Sequence, residues 1–280
     1  MAEKLANRRA FMGDLVQRAA QDLTESKYAV ALTGAGISTE SGIPDFRGPR
    51  GLWTTNKEAE AKAYQRYDLF LRDPRTYWEE MLGFPQGQGT FYEQIRRAEP
   101  NSGHYALAQL EQLGILKCVI TQNIDGLHQK AGSKRVLEYH GSIHALRCIY
   151  CGSRFRREEV SLDELPPRCK CGAALKYDVV HFTEPIPSDV MAASQEEVSK
   201  CDLMLICGTS AVVYPFAGLP RMARFRSRRT KIIEVNADPT PLTQEGISDY
   251  LIQGKTGEIL PKIVEEVKKR LFQQPRSPYS

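Results

Sequence analysis

The chain has 280 residues, 41% of them hydrophobic and 26% charged; that is an ordinary globular composition and excludes a mostly disordered chain. Lysine and arginine exceed acidic residues by 38 to 34, a surplus too small to point to nucleic acid. No apolar run approaches the ~18–20 residues of a membrane span, and MAEKLANRRAF lacks an apolar signal core, so the expectation is a cytoplasmic protein.

In chain order, Leu5, Met12, Leu15, Val16, Ala19 and Leu23 recur at helical spacing and predict an amphipathic helix over 3–23. Residues 28–33 read as a buried strand running into Gly34. Residues 51–100 are polar and rich in turn formers, with a loop at 86–89. A helix over 105–113 precedes a strand over 117–121. Residues 145–178, rich in Cys, Arg and Pro, show almost no strand pattern. Strands at 203–207 and 231–235, a helix over 259–272 and a disordered tail from Gln273 follow. Strands alternating with helices imply βαβ units, an α/β fold with a doubly wound parallel sheet. The two irregular stretches read as insertions forming a smaller second domain.

Gly34, Ala35, Gly36, Ile37 and Ser38 follow the first strand, where glycines let the backbone approach a pyrophosphate. The same residues also fit a plain strand–helix turn. The continuation holds Asp45, Phe46, Arg47 and Trp53, a loop with a guanidinium for an anion and aromatics to cover a ring. Gln122, Asn123, Ile124 and Asp125 end the second strand, where open α/β sheets bind ligands, although Asn and Asp also cap helices. His140, before a glycine turn, is a candidate general base or an ordinary structural histidine. Gly208, Thr209 and Ser210 end a third strand, and the extended Val212, Val213 and Tyr214 could pair with a peptide. Asn236, Ala237 and Asp238 end a fourth, where a ribose would sit or a turn would form before Pro239.

The seven cysteines, an odd number without an export signal, suit metal ligation and buried thiols. Cys148 and Cys151, then Cys169 and Cys171, form two close pairs 17 residues apart. Four thiolates make a closed structural zinc site, with a tight C-x-C second pair as its departure. Cys118, Cys201 and Cys207 read as buried small hydrophobes. Six basic residues between Arg221 and Lys231 read as a solvated face.

Taken in order, GAGIS…PDFRGPRGLW, TQNIDGLH, EYHG, the four cysteines, GTS…VVYPFAGLP and VNAD resemble the sirtuin (Sir2-like) family from about Tyr28 to Leu271. The resemblance implies an NAD-dependent protein lysine deacylase. Its Rossmann-like domain would comprise residues 1–50, 104–144 and 180–273. A cofactor-loop and helical module (51–103) and a zinc ribbon (145–179) would form the small domain, with 274–280 as the tail. By resemblance, Gly34–Ser38 and Gly208–Ser210 hold phosphates, Asn236 the adenosine ribose and Gln122 the nicotinamide ribose; Asp45, Trp53, Ala237, Asp238 and Thr256 complete the NAD site. Asn123 and Asp125 orient the nicotinamide, Phe46 shields the reacting carbon, and Arg47 belongs to a mobile loop. The acyl oxygen attacks C1′ of the ribose, nicotinamide leaves, and His140 acts as base on the ribose hydroxyls to yield O-acyl-ADP-ribose. An acyl-lysine protein or peptide lies between Val180, His181, Phe182 and Thr183 on one side and Val212–Tyr214 on the other.

Thr183 stands where the family has glycine in Phe-Gly-Glu. The helix that carries a Tyr-x-x-Arg pair in succinyl-preferring members here reads Tyr77-Trp-Glu-Glu80-Met81, acid without guanidinium, so a neutral acyl group is expected. The alternatives are a mono-ADP-ribosyltransferase or NAD glycohydrolase using the same site, and a non-catalytic zinc-ribbon module that binds nucleic acid.

Overall fold

The computed structural model describes residues 2–48, 51–83, 91–226 and 230–273; the loop expected at 86–89, the tail from 274 and Arg228 and Arg229 lie outside them. Helix α1 (Ala2–Glu25) leads into strand β1 (Ala29–Thr33). Four helices follow: α2 (Leu52–Thr55), α3 (Lys57–Arg72), α4 (Pro74–Met81) and α5 (Phe91–Arg97). Then come α6 (Ser102–Gln112), β2 (Leu116–Thr121), α7 (Leu127–Lys130) and β3 (Val136–Glu138). Strands β4 (Gly141–Cys148), β5 (Arg154–Arg156) and β6 (Leu175–Val179) precede α8 (Ser188–Lys200) and β7 (Leu203–Cys207). The described chain closes with α9 (Gly218–Arg224), β8 (Lys231–Asn236), α10 (Pro241–Gln244), β9 (Tyr250–Gln253) and α11 (Thr256–Gln273).

Six strands form one sheet in the order β3-β2-β1-β7-β8-β9, every pair parallel. The alternation of side chains along a strand feeds two cores. Ala29 and Ala31 of β1 join Leu23, Leu107, Leu110, Ile263 and Val267 on one face. Val30 and Leu32 join Val198, Leu219, Ala223 and Leu242 on the other. Helices therefore cover both faces, as the alternating pattern requires. β1 lies between β2 and β7, so the chain leaves it in opposite directions and a crevice opens at its carboxyl end.

A second, antiparallel sheet, β5-β4-β6, packs with α3, α4 and α5 around a third core. Asn56 and Asp73 cap α3 and α4 by accepting backbone N–H bonds from Ala59 and Thr76. Fully buried Trp78 donates its indole N–H to the Leu175 carbonyl at 2.7 Å, and Arg96 donates to the Tyr177 hydroxyl at 2.7 Å. Those two bonds fasten the helices to the small sheet.

Two sequence expectations need correction here. Residues 145–178, read as almost strandless, contribute to all three strands of the second sheet. Strand β6 was hidden because it buries Lys176 and Asp178 as well as its apolar residues, and burial of charge without a partner is too costly to expect. Residues 51–100, read as turn-rich, are largely helical; their buried face, Phe70, Tyr77, Trp78, Met81, Tyr92 and Ile95, is spread over α3, α4 and α5. Strand β9 and helix α8 escaped prediction because they are a short edge strand and a mostly polar helix.

Candidate active site

The two strands that flank the crevice end in glycine turns that touch backbone to backbone. The Gly36 N–H donates to the Gly208 carbonyl at 2.8 Å. A Cβ on Gly36 would stand 2.7 Å from that oxygen, and one on Gly208 would stand 2.3 Å from the Ile37 nitrogen. Gly208 also has φ of 60°, a conformation open to glycine at little cost. No side chain fits between these turns, so a cavity of about 1100 Å³ opens directly above bare backbone. Ala35, Gly36, Ser38, Thr209 and Ser210 line it. Gly34 and Ile37, also named from the sequence, do not; Ile37 is buried in the core and Gly34 sits beneath Thr209.

Asn123 and Asp125 meet at one end of this cavity. Asn123 Nδ2 donates to the Gly34 carbonyl (3.1 Å) and to Ser38 Oγ (3.0 Å). The Ser38 hydroxyl donates to Asp125 Oδ2 at 2.7 Å, and Asp125 Oδ1 accepts from the Leu127 N–H at 2.9 Å. Burial raises the Asp125 carboxyl, while these donors oppose the shift. Gln122 is held by a 2.7 Å bond from its Nε2 to Thr209 Oγ1. His140 lines the same cavity, its ring pushed down to about 4 by burial against a bond to the Gln122 backbone. A neutral imidazole at pH 7 has a lone pair ready to accept a proton. Sequence reasoning missed the support behind this end, buried His104 and His128, which contact Ser38 Oγ (3.4 Å) and Thr33 Oγ1 (2.9 Å).

The rest of the cavity wall gathers the remaining sequence candidates. Asn236, Ala237, Asp238 and Thr256 stand together, and the Thr256 hydroxyl is buried with no hydrogen-bond partner among the described residues. An unpartnered buried hydroxyl in a cavity wall, with glycine turns nearby, fits a dinucleotide. Asp45, Phe46, Arg47 and Trp53 form a lip, with Arg47 over the Trp53 ring at 4.6 Å. Trp53 meets Phe182 at 5.3 Å and Phe182 stacks on Tyr64 at 4.3 Å, which ties this loop to the 180–183 segment. Ile124, Val180, His181, Phe182 and Thr183 and, facing them, Val212, Val213 and Tyr214 complete the lining.

Thr183 has φ of 69°, so the residue that replaces the expected glycine is strained. Its side chain is exposed and donates only to its neighbour's carbonyl, Phe182, at 2.5 Å. Glu184 holds the turn from below, a role the sequence did not suggest. Its buried carboxylate pairs with Arg147 of β4 (2.5 Å) and Lys176 of β6 (3.1 Å), and accepts from the His181 N–H (3.0 Å). Arg147 also pairs with Asp178 at 2.9 Å. Left-handed backbone costs a non-glycine residue ~1–2 kcal/mol, against ~0.5–1 kcal/mol of extra chain entropy for glycine. Thr183→Gly should therefore stabilise the protein by about 0.5–1 kcal/mol in urea unfolding.

The helical wall corrects another expectation. Tyr77 points into the core and bonds His181 Nε2 at 2.9 Å, and Glu79 pairs with Arg75 on the surface. Glu80 and Met81 reach the cavity as expected, but a guanidinium does line it, from α3: Arg66 lies 2.9 Å from Met81 Sδ and 4.0 Å from Glu80. The acid and the cation stand as a pair. The basic stretch after Arg221 is engaged internally, with Arg221 paired to Glu245 and Arg224 to Asp249.

Away from the cavity, the four cysteines converge. Cys148 Sγ lies 3.6 Å from Cys171 Sγ, Cys151 Sγ lies 3.5 Å from Cys169 Sγ, and all four fall within 4.8 Å. Zinc–sulfur bonds of ~2.3 Å put tetrahedral sulfurs about 3.8 Å apart, so the set fits zinc. The C-x-C pair is accommodated by a tight turn in which Gly172, at φ 89°, donates to the Cys169 carbonyl. The protein should carry one zinc per chain by elemental analysis, and Cys169→Ser should lose it and melt the small sheet. A metal-free wild type of unchanged melting temperature would contradict this.

Burial also holds four of the five histidines neutral. His104 and His140 are pushed down to about 4, and His128 and His181 well below the usual range. In an unfolded chain they protonate near pH ~6.5. Below that pH the unfolded state binds more protons, so stability falls as pH falls. Glu138, pushed up to about 7, and Asp125, also raised, act in the opposite sense, two groups against four. The melting temperature should fall as pH drops from about 6.5 toward 4, before most carboxylates titrate. A flat profile over that window would be inconsistent with neutral buried histidines.

Residues 34–215 match the family model described as the Sir2 family. The chain is 46% identical over 250 residues to NAD-dependent protein deacylase 2 of Pyrobaculum aerophilum, covering 89% of this chain and 94% of that protein. A mutant Sir2 homologue in complex with ADP-ribose is similar with a TM-score of 0.80 and 41% identity, over 92% of this chain and 99% of that one. A Sir2 protein bound to a myristoylated histone peptide is similar at 0.67 and 41%, over 93% and 99%. By motif order, architecture and sequence identity, the chain belongs to the Sir2 family.

Proposed function

We propose that this chain is an NAD-dependent protein lysine deacylase that releases nicotinamide and O-acyl-ADP-ribose. One observation carries the reading: His140, the Asn123–Asp125 pair and the segments 180–183 and 212–214 all open on a single cavity. The name of the Pyrobaculum relative and the ADP-ribose and myristoyl-peptide complexes of its solved neighbours support it. NAD supplies the electrophilic ribose carbon and the acceptor of the acyl group. The glycine turns and Ser210 receive its phosphates, Asn236 and Thr256 its adenosine end, and Gln122 the nicotinamide ribose. Asn123 and Asp125 orient the carboxamide, their own geometry locked by Ser38. His140, neutral at working pH, takes the proton from a ribose hydroxyl. Phe46, Arg47 and Trp53 close over the reacting carbon. An acyl-lysine peptide lies as a strand between 180–183 and 212–214, its side chain running toward the wall of Arg66, Met81, Tyr92 and Ile95. Because Arg66 already faces Glu80, an acidic acyl tail would meet a cation that is already paired, and neutral acyl groups are preferred.

The division into residues 1–50, 104–144 and 180–273, a helical module at 51–103 and a zinc ribbon at 145–179 belongs to the same reading. So does a cytoplasmic setting, which suits seven unpaired cysteines; among the described residues no helix is long and apolar enough to cross a membrane.

The test is mass spectrometry of matched acetyl- and succinyl-lysine peptides incubated with the protein and NAD. Acetyl loss with O-acetyl-ADP-ribose appearing is expected, slowed roughly 10²–10⁴-fold in His140→Ala. NAD consumption with every acyl peptide intact would replace the reading with ADP-ribosyl transfer or NAD hydrolysis. Faster desuccinylation than deacetylation would overturn the neutral preference alone.

A further inference from the structure

Strand β8 ends in Glu234-Val235-Asn236, and the two-residue period of a strand puts Glu234 and Asn236 on one face. Glu234 is fully buried. A carboxylate offers about four lone-pair directions, and four donors take them. The Thr243 and Ser248 hydroxyls each donate to Oε1 at 2.6 Å. The Thr240 hydroxyl (2.5 Å) and Asn236 Nδ2 (3.2 Å) donate to Oε2. Each threonine oxygen also accepts a backbone N–H, which leaves its own proton for the carboxylate. Thr240 Oγ1 already accepts from the Leu242 N–H at 3.1 Å, and Thr243 Oγ1 from the Thr240 N–H at 3.3 Å.

A carboxylate cannot donate, so Asn236 must turn its NH₂ inward. Its carbonyl oxygen is then the polar atom presented to the cavity that Asn236 lines, with Asp238 beside it on the same wall. Both groups accept and neither donates. Lys255, the cation on this stretch of wall, faces Glu258 at 3.7 Å.

We propose that Glu234 is a positioning residue that sets cofactor specificity: by fixing Asn236 with its acceptor outward, it makes this end of the cavity a receptor for a ribose hydroxyl and rejects the 2′-phosphate of NADP. A hydroxyl donates to the Asn236 oxygen. A phosphate brings only acceptors and charge to two acceptor groups, so it is both unpaired and repelled. The inference rests on the NAD reading above.

Calorimetric titration with ADP-ribose and 2′-phospho-ADP-ribose tests it without turnover. The wild type should bind ADP-ribose at least about 100-fold more tightly. Glu234→Gln can donate an N–H to the Asn236 oxygen and flip that amide, so the preference should shrink about tenfold. In an Asn236→Ala background the same change should leave the preference unaltered, because Glu234 acts through Asn236. Should E234Q not fold, the wild-type ratio still decides: equal affinity for the two nucleotides overturns the proposal. So does a folded E234Q that keeps the full wild-type preference. Binding of neither nucleotide by the wild type would instead remove the NAD reading, and this inference with it.

Discussion

Everything at the cavity depends on two glycine turns, after β1 and after β7, being able to touch. The Gly36–Gly208 contact closes the gap at the point where the sheet changes direction, and it does so with backbone alone. Any side chain there would force the two strand ends apart. Ser38 and Thr209 ride on these turns, and through them Asp125, Asn123 and Gln122 acquire their orientations. The site is thus positioned by main-chain geometry first and by side-chain bonds second.

A buried ion cluster performs the matching task for the smaller sheet. Glu184 draws Arg147 and Lys176 from neighbouring strands to the base of the 181–184 turn. Each charge there is costly alone and tolerable in company. The cysteine cluster lies at the far end of β4, and Cys148 and Arg147 are consecutive residues of that strand. The cysteine cluster and the 181–184 turn are therefore joined through adjacent residues of one strand.

How much of this could be read from the chain depends on whether the cause is local. Strand ends followed by Gly34-Ala-Gly36, Gln122-Asn-Ile-Asp125 and Gly208-Thr-Ser210 were readable, because a turn and its polar residues lie within a few positions of each other. Nearly all of those residues do reach one cavity. The hidden parts are long-range pairings of charge. Strand β6 is disguised by Lys176 and Asp178, whose partners are Glu184 and Arg147. Arg66 reaches the wall from a helix whose exposed face carries several other charges, and Glu80 answers it from the next helix. Nor does sequence spacing reveal that a C-x-C pair can close a four-sulfur set; the turn at Gly172 does that in three dimensions.

The chain has only two tryptophans, and they occupy opposite kinds of place. Trp78 is sealed in the core with its N–H bonded to a carbonyl. Trp53 sits in the lip of the cavity, under the Arg47 guanidinium and against Phe46 and Phe182. The protein thereby carries its own two-channel optical gauge. Emission from Trp78 supplies a constant background, and emission from Trp53 reports every rearrangement of the lip, so occupancy of the cavity can be followed by intrinsic fluorescence in the unlabelled chain.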